Sequence, residues 1–209
     1  MSELFLTEFT SQWFDTYKKY AMVQQEREVH QKDFLQSYKS KSWTVVAVPE
    51  ISRVVASGPI GVGSAETLRK VLLANPQLHL LELDSPGGLI AEENKLISIV
   101  TEHHLDTLVL SECASACTGV FLAGNNRYIG TDSWLGFHQS GYKGRPHDTV
   151  WSNTEYMTSL SYYEKDINEK FAKSALNTSY YDIWYPYPID VKRSGFATAW
   201  WSERGAHYR

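Results

Sequence analysis

Short apolar runs alternate with amphipathic helical segments through the central part of this chain of 209 residues. Runs with the length and composition of buried strands lie at 45–48, 54–56, 78–83, 107–110, 127–129 and 134–138. Helices are predicted between them at 64–74, 91–103 and 115–122, with Ser64 as the N-cap of the first. Strands that alternate with helices pair in parallel, because each helix carries the chain back across the sheet. The alternation therefore predicts an α/β fold with a largely parallel sheet.

The segments on either side of this central region have a different character. Four aromatic residues recur at every fourth position near the start: Phe5, Phe9, Trp13 and Tyr17. This spacing gives one aromatic stripe on a helix, so we predict a helical N-terminal extension over residues 1–45. Residues 46–209 are predicted to form the main domain, with a long helix from 150 to about 175 after the last strand.

Charge and composition narrow the classes of partner. The net charge is -4, the pI is near 6.0 and the basic residues are scattered, so we expect no nucleic-acid partner.

No stretch approaches the roughly 18 apolar residues that span a bilayer, and no signal peptide follows Met1. Met1 is either the natural start or a start placed after a removed anchor. No metal and no organic cofactor is predicted, since His and Cys residues lack metal-ligand spacing.

Ser115 lies in the segment Cys113-Ala114-Ser115-Ala116-Cys117, between an apolar run and a small-residue segment. The pattern predicts a buried strand, a sharp turn and a helix that begins at the serine. Free N–H groups and a partial positive charge at a helix N-terminus stabilise a nucleophilic oxygen or a developing oxyanion. The two cysteines are either small packing residues or, in an oxidising compartment, a disulfide.

Two other segments provide the further groups that acyl transfer by a serine requires. His138 ends an apolar strand, and its imidazole titrates near neutral pH, which suits a general base. The Gly87-Gly88 turn lets backbone approach a substrate closely. We predict that this turn and the N–H of Ala116 stabilise the oxyanion.

Taken in order, three motifs resemble the proteolytic subunit of the Clp protease and, more broadly, the ClpP/crotonase superfamily. They are Leu83-Asp84-Ser85-Pro86-Gly87-Gly88, Ala114-Ser115-Ala116 with Phe121-Leu122-Ala123-Gly124 behind it, and Phe137-His138-Gln139. The resemblance runs from about Val54 to Gly195. It implies a spiral of ββα units, a serine peptidase with Ser115 as nucleophile and His138 as general base, and oxyanion donors at Gly88 and Ala116. It also implies a peptide or protein substrate and assembly into rings or other homo-oligomers.

The resemblance further implies an aspartate that orients the histidine. Clp-like sequences carry this aspartate shortly before a short helix that ends in glycine, and Asp182 stands at that place ahead of Gly195. Asp190 is the rival, although it would lie within the short helix.

The extension and Cys117 depart from Clp subunits and bring the chain closer to Clp-like proteins of bacterial envelopes. Many of these carry the same Cys-Ala-Ser-Ala-Cys arrangement. This similarity favours a Cys113–Cys117 disulfide and a periplasmic or membrane-associated location with a membrane-associated partner or a removed anchor. A natural start at Met1 would instead favour the cytoplasm.

Other activities of the superfamily fit the sequence less well. A serine–lysine mechanism would need a desolvated lysine, but Lys143 stands in a Gly/Pro loop. Crotonase-type acyl-CoA chemistry uses no serine–histidine pair. The remaining alternative is a catalytically weak Clp-like module for assembly or peptide binding, which the extension and the aromatic C-terminal segment suggest.

Overall fold

The computed structural model describes residues 41–139 and 167–202, which belong to the compact unit Lys41–Arg209. Its strands are β1 (Thr44–Val48), β2 (Arg53–Ser57), β3 (Leu80–Asp84), β4 (Asp106–Val109), β5 (Glu112–Ala114), β6 (Arg127–Ile129), β7 (Trp134–Gly136) and β8 (Ala199–Trp200). Its helices are α1 (Ser64–Ala74), α2 (Ile90–Glu102), α3 (Ala116–Leu122), α4 (Glu169–Asn177) and α5 (Pro188–Arg193). Most of the extension predicted over 1–45 and most of the long helix predicted from 150 lie outside the described residues.

Six strands form one sheet in the order β1-β2-β3-β4-β6-β8, and β5 pairs with β7 in a separate two-stranded sheet. Only the β1–β2 hairpin is antiparallel among the described strand pairs; the others are parallel. The hairpin and α1 form a ββα unit, and β3, α2 and β4 continue the crossover pattern. The predicted α/β fold with a largely parallel sheet is confirmed.

The core lies between the sheet and the helices packed on it. Val54 and Ala56 of β2 are fully buried, and so is Leu81 of the neighbouring β3. Helix α1 buries Leu68 and Leu72, which lie four residues apart on one face. Each fully buried Leu or Val contributes about 1.5–3 kcal/mol relative to an exposed one. The sheet therefore forms a firm base for the loops that leave its strands.

Two local features differ from the sequence-based prediction. Gly63, with a φ of 88°, is the N-cap of α1, and Ser64 is the first helical residue. The Ser64 hydroxyl instead accepts a hydrogen bond from the Gly61 N–H at 2.9 Å. The buried N-terminus of α1 is capped from α2, where the Glu92 carboxylate accepts from the Ala65 N–H at 3.1 Å. Glu92 of a neighbouring helix thus caps α1, which was the role expected for Ser64.

Strand β5 is the second difference, because the sequence predicted a turn between 110 and Ser115. Its three residues pair in parallel with β7, with Ala114 opposite Gly136. Among the described residues, no helix combines the length and the apolar character needed to cross a bilayer.

Replacing Leu81 with alanine should lower the free energy of unfolding by about 2–5 kcal/mol, since the side chain is fully buried at the centre of the sheet. Urea titration followed by circular dichroism measures this change. Leu73→Ala on α1 is the matched control, because Leu73 is 69% exposed. A similar loss in both variants would contradict the assignment of the core.

Candidate active site

Ser115 stands between β5 and α3 and has a φ of 55° and a ψ of -129°. Such a backbone conformation costs a non-glycine residue roughly 1–3 kcal/mol and persists only where its surroundings hold it. The Ser115 N–H donates to the Gly136 carbonyl at 2.8 Å. The Ser115 carbonyl accepts from the N–H of Thr118 at 2.8 Å and from its hydroxyl at 2.7 Å. The turn is therefore fixed on both sides, with the serine as the N-cap of α3.

The glycine turn after β3 lies directly against this serine. A Cβ atom added to Gly87 would come within 2.7 Å of the Ser115 Cβ and 2.8 Å of the Ala116 nitrogen. The φ of Gly87 is 89°, which a side chain would also strain. Only a residue without a Cβ fits here, so the two turns are in contact.

Two backbone N–H groups at these turns have no hydrogen-bond acceptor among the described residues. Ala116 is the first residue of α3, where N–H groups have no intrahelical partner. The residues on both sides of Gly88 are bonded to Ile60. The Ile60 N–H donates to the Gly87 carbonyl at 2.8 Å, and the Leu89 N–H donates to the Ile60 carbonyl at 2.9 Å. In such a parallel bridge the N–H of the central residue points away from the partner strand. Both N–H groups are therefore candidate donors to a ligand bound beside Ser115.

His138 follows β7, the strand that pairs with β5. Because β5 and β7 are parallel and Ala114 lies opposite Gly136, Ser115 and His138 leave the same end of this sheet. The residues on both sides of the histidine are held by one segment. The Phe137 N–H donates to the Trp184 carbonyl and the Trp184 N–H donates back, each at 2.9 Å, and Gln139 donates to the Thr178 carbonyl at 2.9 Å.

His138 is half-buried, and its ring centroid lies 5.6 Å from that of Tyr180. Burial lowers the pKa of His138, and the nearby backbone of Gln139 and Tyr180 opposes part of that shift. Its Nδ1 atom is buried and has no hydrogen-bond partner among the described residues. The neutral imidazole is therefore favoured, which is the form that accepts a proton.

Neither candidate aspartate is hydrogen-bonded to His138 in the described part of the chain. Asp182 is exposed, and its N–H closes a turn onto the Ser179 carbonyl at 3.0 Å. Asp190 is also exposed and lies in the first turn of α5. Asp182 is the nearer in sequence to Tyr180, the residue that packs on the imidazole.

Cys113 and Cys117 are joined by a disulfide with an S–S distance of 2.04 Å. Both residues are fully buried, so they also fill space in the core. The bond links the middle of β5 to the first turn of α3 and thus spans Ser115. It adds a covalent restraint to the hydrogen bonds that hold the turn.

The sequence-based reasoning missed two glutamates near the turn, the buried Glu112 of β5 and the half-buried Glu93 of α2. The Tyr185 hydroxyl donates to Glu112 Oε1 at 2.5 Å, and burial raises the pKa of Glu112 to about 8. Burial also raises the pKa of Glu93 to about 7, where its carboxyl group lies against Gly119 of α3. A glutamate inside the short apolar segment 112–117 is the one signal that could have revealed the first of these. Among residues 41–139 and 167–202, no three His, Cys, Asp or Glu side chains form a metal-ligating group.

No protein-family model matches the sequence, and neither does any curated protein. Among solved structures, the chain is similar to a serine-to-alanine mutant of the 1510-N membrane-bound stomatin-specific protease. The TM-score is 0.56 and the identity 12%, over 70% of this chain and 76% of that one. At this identity the likeness concerns the fold, and the chain has a Clp-protease-like α/β fold.

Replacing Gly87 with alanine should lower the free energy of unfolding by about 1–3 kcal/mol, because the new Cβ meets backbone and the φ is positive. Denaturant titration measures this loss. Gly61→Ala is the control, since a Cβ at Gly61 meets nothing within 4 Å. Equal stability of the Gly87→Ala and Gly61→Ala variants would argue against the contact between the two turns.

Proposed function

We propose that this chain is a serine peptidase that cleaves peptide bonds through an acyl-enzyme on Ser115. The observation that carries the proposal is the strained turn at Ser115, which has two free N–H groups beside it and His138 at the same end of the β5–β7 sheet. The similarity in fold to a protease supports the same class of reaction.

In the proposed reaction, His138 accepts the proton of the Ser115 hydroxyl as the oxygen attacks a substrate carbonyl carbon. The N–H groups of Gly88 and Ala116 bind the oxyanion of the tetrahedral intermediate, and each such donor contributes about 3–4 kcal/mol to transition-state stabilisation. His138 then protonates the leaving amine, and an acyl group remains on Ser115. A water molecule that gives its proton to His138 then attacks this ester. The bond between the acyl carbon and the Ser115 oxygen breaks, His138 returns the proton to that oxygen, and the product acid leaves.

We further propose Asp182 as the residue that orients His138. The buried Nδ1 of the imidazole has no partner among the described residues, and a carboxylate is the partner that a base in this role requires. Asp182 would have to move inward from its exposed position, as substrate binding or homo-oligomer assembly could bring about. Asp190 remains the rival, and peptide or protein substrates are the proposed class.

The second candidate function is a peptide-binding or assembly module with weak or no catalysis. The observation that favours it is the absence of a hydrogen bond between His138 and either Asp182 or Asp190 in the described structure. In this case the free N–H groups at the glycine turn would hold a peptide carbonyl without cleaving the chain.

Incubation with a fluorophosphonate probe should give a single adduct on the wild-type protein, measured by intact mass. Ser115→Ala should give none, and His138→Ala should reduce the labelling rate by about 10³-fold or more, since both the nucleophile and its base are needed. His79→Ala is the matched control, because His79 is exposed and comes just before β3, whereas the glycine turn follows that strand. An adduct on Ser115→Ala at the wild-type rate would refute the proposed nucleophile, and folded but unlabelled wild type would favour the second function.

The labelling rate should be constant near neutral pH and fall in acid with an apparent pKa below the ordinary histidine value of about 6.5. The sign follows from burial, which lowers the pKa of His138 and keeps the base form populated to lower pH. The measurement is a series of rate constants between about pH 4.5 and 8, with folding checked at each pH by circular dichroism. A midpoint above the ordinary value would contradict this assignment of the base.

A further inference from the structure

Tyr185 and Glu112 form a buried pair that takes no part in the reaction proposed above. The Tyr185 hydroxyl donates to Glu112 Oε1 at 2.5 Å, and the two residues are 4% and 1% exposed. Loss of the glutamate would take away the acceptor of the buried Tyr185 hydroxyl, which is costly in a low-dielectric interior. The bond links two parts of the chain that are 73 residues apart.

One end of this bond belongs to the strand that leads to Ser115, and the other belongs to a segment that holds the neighbours of His138. Glu112 is the first residue of β5, and Ser115 follows that strand. Tyr185 is the last residue of a segment, 178–185, that we call the clamp segment. Its residues Thr178 and Trp184 make the backbone hydrogen bonds to the neighbours of His138, at Gln139 and Phe137.

The ring of Tyr185 is closely packed on β7. It contacts Trp134 edge to face at 6.0 Å, and a Cβ added to Gly136 would lie 2.6 Å from its Cε1 atom. The strand therefore fixes where the ring lies, and Glu112 fixes the end that carries the hydroxyl. Together these contacts hold the clamp segment on both strands of the β5–β7 sheet.

We propose that the Tyr185–Glu112 hydrogen bond positions His138 relative to Ser115, by fixing the clamp segment to the strand that carries the serine. Both are positioning residues, since neither is among the reacting groups. The catalytic consequence rests on the proposed function, whereas the placement of the imidazole does not. The charge of Asp84 also acts on Glu112 and adds to the rise in pKa that burial causes.

The test uses Tyr185→Phe, which keeps the ring and removes only the hydroxyl. We expect the pKa of His138, followed by NMR titration of its ring protons, to rise toward the ordinary histidine value as the clamp segment loosens. We also expect the maximal rate of fluorophosphonate labelling to fall about tenfold, while the probe concentration at half-maximal rate stays unchanged. A residue that only stabilised the fold would not move the pKa of His138 in the folded protein.

Three further variants complete the experiment. Tyr187→Phe is the matched control, because Tyr187 is 37% exposed and lies two residues further along, and it should behave as wild type. Glu112→Gln keeps an oxygen that accepts from Tyr185, so it should largely preserve both values. Glu112→Leu removes the acceptor of the same hydrogen bond and should reproduce the effect of Tyr185→Phe. It also provides the test if Tyr185→Phe folds poorly.

An unchanged His138 pKa in the folded Tyr185→Phe and Glu112→Leu variants would overturn the proposal, as would equal changes in Tyr187→Phe. The titration is independent of catalysis. If wild type is not labelled but the His138 pKa still rises in Tyr185→Phe, the positioning role holds and the peptidase proposal fails. If wild type is labelled and the His138 pKa does not change in Tyr185→Phe, the positioning role fails and the peptidase proposal stands.

Discussion

The hydrogen bond from the Ser115 N–H to the Gly136 carbonyl joins the end of β5 to the end of β7, and the geometry of the site depends on it. It extends the parallel pairing one residue beyond Ala114, to a serine whose φ is 55°. Without a fixed partner, a non-glycine residue would relax out of this region at a gain of roughly 1–3 kcal/mol. The hydrogen bonds from Thr118 and the disulfide across the turn also hold Ser115 in this conformation.

Close packing of small residues brings the three elements of the site together. Gly87 lets the turn after β3 touch Ser115, and Gly136 lets the Tyr185 ring lie close against β7. A methyl group at either position would overlap atoms closer than 3 Å, so the turn or the ring would have to move. The N–H of Ala116 lies next to the glycine turn because Gly87 has no side chain to separate them.

The fold could be predicted from the sequence because each crossover unit leaves a local pattern. The runs at 54–56 and 78–83 are apolar enough to mark buried strands, and the structure places β2 and β3 there in parallel. Strand β5 left no such pattern, since it has only three residues and begins with Glu112. Helix α2 buries Leu96, Ile99 and Val100, which lie three and four residues apart on one face as an amphipathic helix requires.

The candidate site was less accessible to sequence reasoning than the fold. Serine, histidine and a glycine turn have recognisable neighbours, so Ser115, His138 and Gly87 could be selected before their positions were known. The Tyr185–Glu112 bond joins residues 73 apart, and no local pattern connects them. The place of Asp182 was inferred from its order along the chain, which says nothing about whether its carboxylate faces the imidazole.

Buried groups of opposite type impose opposite pH dependences on the stability of this site. Burial lowers the pKa of His138, so stability is lost as the pH falls below the unfolded value of about 6.5, because the unfolded chain binds a proton more readily. Burial raises the pKa of Glu112 to about 8, so stability is lost as the pH rises from the unfolded value of about 4.3 toward 8. In the folded chain, the neutral imidazole and the neutral carboxyl group coexist above the lowered pKa of His138 and below about 8. The proposed base and the buried Glu112 are therefore both uncharged at neutral pH, where neither group is forced to ionise inside the fold.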